Sequence, residues 1–230
     1  MCKTVIKAIF LFLLLAFYNT GFSQPNGRTK YWVDKNGKKV SKFERGSITE
    51  KENLAWAIHK SKDSGNVATL KNPRYQAYET KYDSIKSYFQ KATNREFKEG
   101  TIFLISYYYK DDFCSDFSTN HYKKSLINDR KTFLSEIKNS VETNNKNIIY
   151  FVFFDNGIKL DNDFTSEKEF FFTDTDNFLR RNLMTSPTLC GSELIIKPDG
   201  TALVRNGEYR ADWMANHLKP EIWNSFFESE

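Results

Sequence analysis

Cysteine and histidine are the side chains in this 230-residue sequence with the most chemistry to offer, and both are scarce. The cysteines are Cys2, Cys114 and Cys190, and the histidines are His59, His121 and His217. A thiol attacks or ligates as its thiolate, and an imidazole within hydrogen-bond reach is a common activator. Cys114 and His121 lie seven residues apart, which on a helix is a rise of roughly 10.5 Å against a reach of ~3 Å. A Cys–His pair would therefore need His59 or His217, brought in by the fold. Three scattered histidines predict no multi-histidine metal site. The acidic clusters Asp161-Asn162-Asp163 and Asp174-Thr175-Asp176-Asn177 look like calcium loops, but such a loop needs Gly at its sixth position and Glu at its twelfth. Counted from Asp161 those positions hold Ser166 and Phe172, and from Asp174 they hold Leu179 and Thr185. Turn and cap duties account for both. Lys-rich stretches such as Lys35 to Lys42 are expected to be solvated hairpin faces. There is no Gly-rich phosphate loop, no G-x-S-x-G elbow and no H-E-x-x-H. The expectation is no cofactor and no metal, with enzymatic activity less expected than binding.

The N-terminus has the pattern of an export signal. Lys3 and Lys7 precede an unbroken apolar run from Ala8 to Tyr18, and small residues Gly21 and Ser23 stand ahead of Gln24. Eleven helical residues span roughly 16 Å, about half of a ~30 Å hydrocarbon core, so cleavage after Ser23 is favoured over a stable anchor. Cys2 is then discarded, and an exported, periplasmic or extracellular location follows. About 207 residues remain, enough for one sizeable domain. The whole chain has 34 Lys+Arg against 29 Asp+Glu; residues 1–23 take two lysines and no acid with them. The remaining excess is too small and too dispersed for a nucleic-acid binder. With 40% hydrophobic and 16% aromatic residues the chain can bury a core, which excludes wholesale disorder.

These residues must be positioned by the elements that the pattern predicts. Asn36-Gly37, behind Tyr31-Trp32-Val33, marks a hairpin. Thr49 and Glu52 have capping-box spacing, predicting a short helix from near Glu50 that carries Leu54, Ala55 and Ile58. Asn72-Pro73 reads as cap and first residue of a helix striped by Tyr75, Tyr78, Tyr82, Ile85 and Phe89. After Gly100, Thr101–Tyr109 is a continuous β-branched and aromatic run, as in a strand covered on both faces. Asp111, Asp112, Ser115, Asp116 and Ser118 supply caps for a helix through Tyr122, Leu126, Phe133, Leu134, Ile137 and Val141. Ile148–Phe154 is a second buried strand, so a βαβ unit with parallel strands is expected. Phe170-Phe171-Phe172 leads to Thr173 or Asp174 as caps of a helix with Phe178, Leu179 and Leu183. After Ser186-Pro187, the runs 193–196 and 201–205 flank Pro198-Asp199-Gly200 as a hairpin. Trp213, Met214 and Leu218 line a closing helix that ends before Pro220.

This order of elements resembles the thioredoxin fold over about residues 100–218. Cys114 follows a buried strand, where that fold starts its first long helix and keeps its reactive cysteine. Ser186-Pro187-Thr188 precedes the hairpin, where thioredoxin-like proteins carry a cis-proline facing that cysteine, and Lys197-Pro198-Asp199-Gly200-Thr201 is similar to a redoxin hairpin turn. The likeness is topological. Cys114-Ser115-Asp116-Phe117 lacks the second cysteine of Cys-x-x-Cys, which excludes dithiol exchange within that motif, and Asp111, Asp112 and Asp116 oppose a low thiol pKa. The resemblance implies an α/β fold: a thioredoxin-like mixed sheet flanked by helices (residues 100–230), preceded by an N-terminal α/β extension (24–99) and a signal peptide (1–23). It also places Cys190, three residues past Pro187, opposite Cys114. In an oxidising compartment that predicts a Cys114–Cys190 disulfide, closing a loop of roughly 75 residues and worth about 4 kcal/mol by chain entropy.

Three functions follow as expectations. The first is a non-catalytic, disulfide-stapled binding or structural module of the cell envelope. The second is a thiol–disulfide protein in which Cys114 attacks, Cys190 resolves and Pro187 faces the pair. The third is an inhibitor- or immunity-type binder of an unidentified protein partner through the aromatic N-terminal region. None involves nucleic acid or a membrane anchor that outlasts signal cleavage.

Overall fold

A computed structural model describes residues 29–41, 43–61, 65–112, 114, 119–162, 166 and 168–227, with the backbone alone at 29, 30, 60, 61, 65 and 66. The expected signal 1–23, with Cys2, lies outside the described residues, as do Ser115, Asp116, Phe117, Ser118 and Asp163. Among the described residues no helix is long and apolar enough to cross a membrane. The architecture is mixed α/β, with two principal sheets and flanking helices.

The larger sheet grows from the two apolar runs read as buried strands. β6 (Ile102–Tyr108) and β8 (Ile148–Phe154) pair in parallel, Ile102 opposite Ile148 and Tyr108 opposite Phe154. The helix that joins them, α3 (Lys124–Asn144), buries Ile127, Leu134, Ile137 and Val141 and exposes its remaining face. The expected hairpin forms β11 (Ser192–Ile196) and β12 (Thr201–Asn206), and β11 runs antiparallel to β6. β5 (Tyr75–Glu79) extends the sheet antiparallel beyond β12, and β10 (Phe171–Thr173) extends it parallel beyond β8. The resulting order is β10-β8-β6-β11-β12-β5.

Each face of this sheet is covered by a different set of helices. Side chains alternate across a strand, so paired residues Ser106, Val152 and Glu193 share one face with Tyr108 and Tyr150. α3 and α5 (Ala211–Ala215) pack on this face. The opposite face presents Phe103, Phe151 and Phe153 to α2 (Tyr82–Thr93), whose Phe89 ring lies 4.6 Å from that of Phe103 and 5.5 Å from that of Phe153. Aromatic pairs at such spacings add to the area they bury. The hairpin turn requires glycine: Gly200 has φ +88, and a Cβ there would meet the Thr80 carbonyl oxygen at 2.5 Å.

The smaller sheet orders β2-β1-β4-β3 from β1 (Thr29–Val33), β2 (Lys39–Val40), β3 (Leu54–Ser61) and β4 (Gly65–Pro73). β1 and β2 form the Asn-Gly hairpin expected, with Asp34 Oδ1 accepting from the Asn36 and Lys38 amides. Its small core is Trp56, Ala68, Leu70 and Leu189, with Trp32 edge-on to Trp56 at 4.9 Å.

Several expectations are corrected. The helix α1 (Arg45–Glu52) ends at Asn53 in a left-handed conformation, and Leu54, Ala55 and Ile58 belong to β3, where pairing with β4 outweighs local helical spacing. Asn72-Pro73 closes β4 and does not start a helix, and the tyrosine stripe splits, Tyr75 and Tyr78 on β5 and Tyr82 onward on α2. Tyr122 lies on β7 (His121–Tyr122), which pairs with β9 (Lys159–Leu160), so Cys114 stands well ahead of α3 instead of at a helix start. Phe171, Phe172 and Thr173 are strand residues, and the N-cap of α4 (Phe178–Asn182) is Asn177, not Thr173 or Asp174; Asp174 lies ahead of the cap and accepts from the Leu179 and Arg180 amides. The closing helix is α5, which holds Trp213 and Met214; Leu218 lies in a 3-10 turn at Asn216–Leu218, Pro220 opens a further helix, α6 (Pro220–Asn224), and Trp213 is 52% exposed. No cis peptide bond occurs among the described residues, so Ser186–Pro187 is trans.

Candidate functional site

Cys114 and Cys190 form a disulfide, with Cα atoms 4.9 Å apart. The loop entering β11 carries Cys190 and Gly191 in consecutive left-handed conformations, φ 67 and 76. At Gly191 a Cβ would lie 2.6 Å from the Tyr107 carbonyl oxygen, so no other residue fits against β6 there. Asp112 holds both halves of the bridge. Its Oδ1 accepts from the Cys114 amide at 3.1 Å and from the Cys190 amide at 3.0 Å. Burial pushes the Asp112 carboxyl up to about 6, against the pull of those amides, the Gly191 amide and the Arg130 charge. On the exposed side, the Glu208 carboxylate lies within 4.8 Å of both sulfurs. Bonded to each other, the sulfurs are not thiolates and offer no metal ligand pair.

The bridge is a wall shared by two clefts. One, of about 560 Å³, opens on the helix-covered face of the large sheet between α3 and α5. Its sides are aromatic: Tyr108, Tyr122, Phe133, Tyr209 and Trp213, with Phe133 68% exposed. Its floor is a polar triad within the sheet. Ser106 Oγ stands 2.7 Å from the Tyr150 hydroxyl and 2.8 Å from both carboxyl oxygens of Glu193, which is only 6% exposed. Burial lifts the Glu193 carboxyl well above its ordinary range, opposed by the Ser106 hydrogen bond and the nearby Arg205 charge. Arg130 lies over the Tyr108 ring at 4.6 Å and the Tyr122 ring at 5.3 Å.

The other cleft, of about 410 Å³, lies between the small sheet and the end of β12. Trp32 and Trp56 wall one side, while Arg45, Arg74 and Arg205 line it from three separate segments. Arg205 is 5% exposed; its Nη1 donates to the Gly207 and Glu208 carbonyls, and its guanidinium stacks on Tyr209 at 4.1 Å. Burial, then the Arg74 charge, lowers the Arg205 pKa.

The structure therefore brings Cys114 and Cys190 together and sets Pro187 near them on the segment that docks the small sheet, where its carbonyl accepts from Asn72 Nδ2 at 3.1 Å. No histidine lines either cleft. His121 pairs with Asp161 at 2.8 Å, and His217 is buried against Met214 and Tyr75. Sequence reasoning missed Ser106, Glu193, Arg74 and Arg205. An ionisable residue inside an apolar strand run, Glu193 ahead of Leu194-Ile195-Ile196 or Arg205 behind Leu203-Val204, is the signal that marks two of them. Comparison with protein-family models, curated proteins and solved structures finds no match to this chain.

Proposed function

We propose that this chain is an exported, thioredoxin-like domain that acts as a binding module of the cell envelope, with Cys114–Cys190 as its structural bridge. The likeness rests on the strand order β8-β6-β11-β12, with α3 joining the two parallel strands and α5 closing after the hairpin. The observation that carries the non-catalytic reading is the pair of carboxylates beside the bridge. Breaking it by exchange creates a thiolate next to Asp112 and Glu208, which oppose that charge and slow the attack. The two clefts that share the bridge as a wall supply the binding surface.

One observation favours the alternative, a thiol–disulfide protein with a non-adjacent pair: Cys114 is exposed, which a purely structural bridge does not need. The experiment is the intact mass of the secreted protein, alkylated before and after titration with dithiothreitol. The binding-module reading expects a mature chain starting at Gln24 whose bridge resists reduction until the fold melts. Ready exchange in the native state overturns it in favour of the redox reading.

A further inference from the structure

We propose that the cleft between the small sheet and the end of β12 binds a single oxyanion group, a carboxylate or a phosphate, carried on a ring or other apolar body. The inference rests on the reading of the domain as a binding module and names the ligand class of one of its clefts.

The geometry of the arginines carries it. Arg74 and Arg205 are neighbours across the β12–β5 edge, where the Asn206 amide donates to the Arg74 carbonyl at 2.8 Å. Both line the cleft, and the Nε–H of each is buried without a hydrogen-bond acceptor. Among the described residues no carboxylate lies within 4.0 Å of Arg45, Arg74 or Arg205. The Tyr209 ring covers one face of Arg205, two carbonyls accept from its Nη1, and the Tyr75 hydroxyl is a further side-chain partner, which leaves the Nε–H without an acceptor. Two partly dehydrated guanidinium groups that repel each other lack the same things: negative charge and paired acceptor oxygens. A carboxylate or phosphate supplies both, and a guanidinium binds either through two parallel N–H donors.

The rest of the cleft defines the body of the ligand. Trp32 and Trp56 meet edge to face, Arg45 lies over the Trp32 ring at 4.0 Å, and Leu189 completes an apolar wall. Those surfaces suit a ring laid against the indole edges and the outer face of the guanidinium. Exposed Glu50 and Glu208 stand on the rim. They repel an extended polyanion approaching from solvent, while one oxyanion group can seat on the arginine floor.

Titration of the oxidised protein with acetate, benzoate, inorganic phosphate and phenyl phosphate, read by tryptophan fluorescence and calorimetry, tests this. Saturable binding is expected for benzoate or phenyl phosphate at concentrations at least about tenfold below acetate or phosphate. Which of the two ring ligands binds tighter identifies a carboxylate or a phosphate as the natural head group. Arg74→Gln is expected to weaken that binding about tenfold or more, and Arg45→Gln, at a half-exposed helix position, to weaken it severalfold without touching the floor. Absence of saturable binding by all four probes overturns the proposal, as does undiminished binding in both variants. A bridge that resists dithiothreitol in a protein that binds no oxyanion overturns this inference alone. Oxyanion binding by a protein whose bridge exchanges readily overturns the structural-bridge reading alone.

Discussion

The two sheets of this molecule are held together by different means. The six-stranded sheet is sealed by aromatic mass: Phe89, Phe103, Phe151 and Phe153 are fully buried and in ring contact on one face, and α3 and α5 cover the other. The four-stranded sheet has a core of four buried side chains, one of which, Leu189, belongs to the far side of the chain. It is docked by polar pins. The Leu189 amide donates to the Trp56 carbonyl at 2.9 Å, Ala57 bridges Thr188, and Asn206 Nδ2 donates to the Pro73 carbonyl at 2.8 Å. All but the last converge on residues 187–189, which the Cys114–Cys190 bond ties to the end of β6. One sheet is stable by burial; the other is stable because the segment it leans on is itself held still.

That contrast can be broken at several points. The largest effect is expected for Phe153→Ala, which removes a fully buried ring beside Tyr88, Phe89 and Phe172 and should cost about 4–5 kcal/mol. Chemical denaturation should show both sheets lost together, because the small sheet has no independent core. Cys114→Ser comes next, costing up to about 4 kcal/mol by chain entropy. Hydrogen exchange in that variant should rise first in β3 and β4, while β6 and β8 stay protected; equal acceleration of both sheets would refute the docking argument. Trp56→Ala should cost about 3 kcal/mol and loosen β3 and β4 alone by the same measurement.

A smaller effect depends on pH. Asp112 has a folded pKa of about 6, above its unfolded value of ~3.9. Between these values the folded state binds more protons, so stability falls as pH rises from about 4 to 6 and levels off above. Allowing for its partial exposure, the change amounts to about 2 kcal/mol. Denaturation midpoints at pH 4, 5, 6 and 7 should fall across that range in the native protein and more shallowly in Asp112→Asn. Last, Asn72→Ala should cost about 1 kcal/mol, since its amide reaches the Pro187 carbonyl and Thr188 Oγ1 across the sheet junction, with the melting temperature as readout.

The large sheet was the more legible region in the sequence. β6 and β8 declare themselves by unbroken apolar runs, and Asn36-Gly37 and Pro198-Asp199-Gly200 by turn chemistry. β3 and β5 do not, because Leu54, Ala55 and Ile58, or Tyr75 and Tyr78, have spacings that suit a helix as well as a strand. What decides them is pairing with β4 and β12, which a local window does not contain. The same holds for the site. Cys114 and Cys190 were pairable through a fold-level likeness, whereas the approach of Arg74 to Arg205 and of Ser106 to Glu193 depends on strand register between distant segments.

The place of β5 at the sheet edge has a consequence for how the chain assembles in time. Among the described residues its one strand neighbour is β12, and where they meet Thr80 donates to the Gly200 carbonyl across 120 residues. A chain delivered from its N-terminus has β1 to β4 complete early, yet β5 must wait roughly 10 s of synthesis for its partner. Until then its amides and carbonyls have only water to bond. The protein therefore cannot close its main sheet piecemeal during delivery, and a chain stalled before residue 201 would present β5 as an open strand to any neighbour.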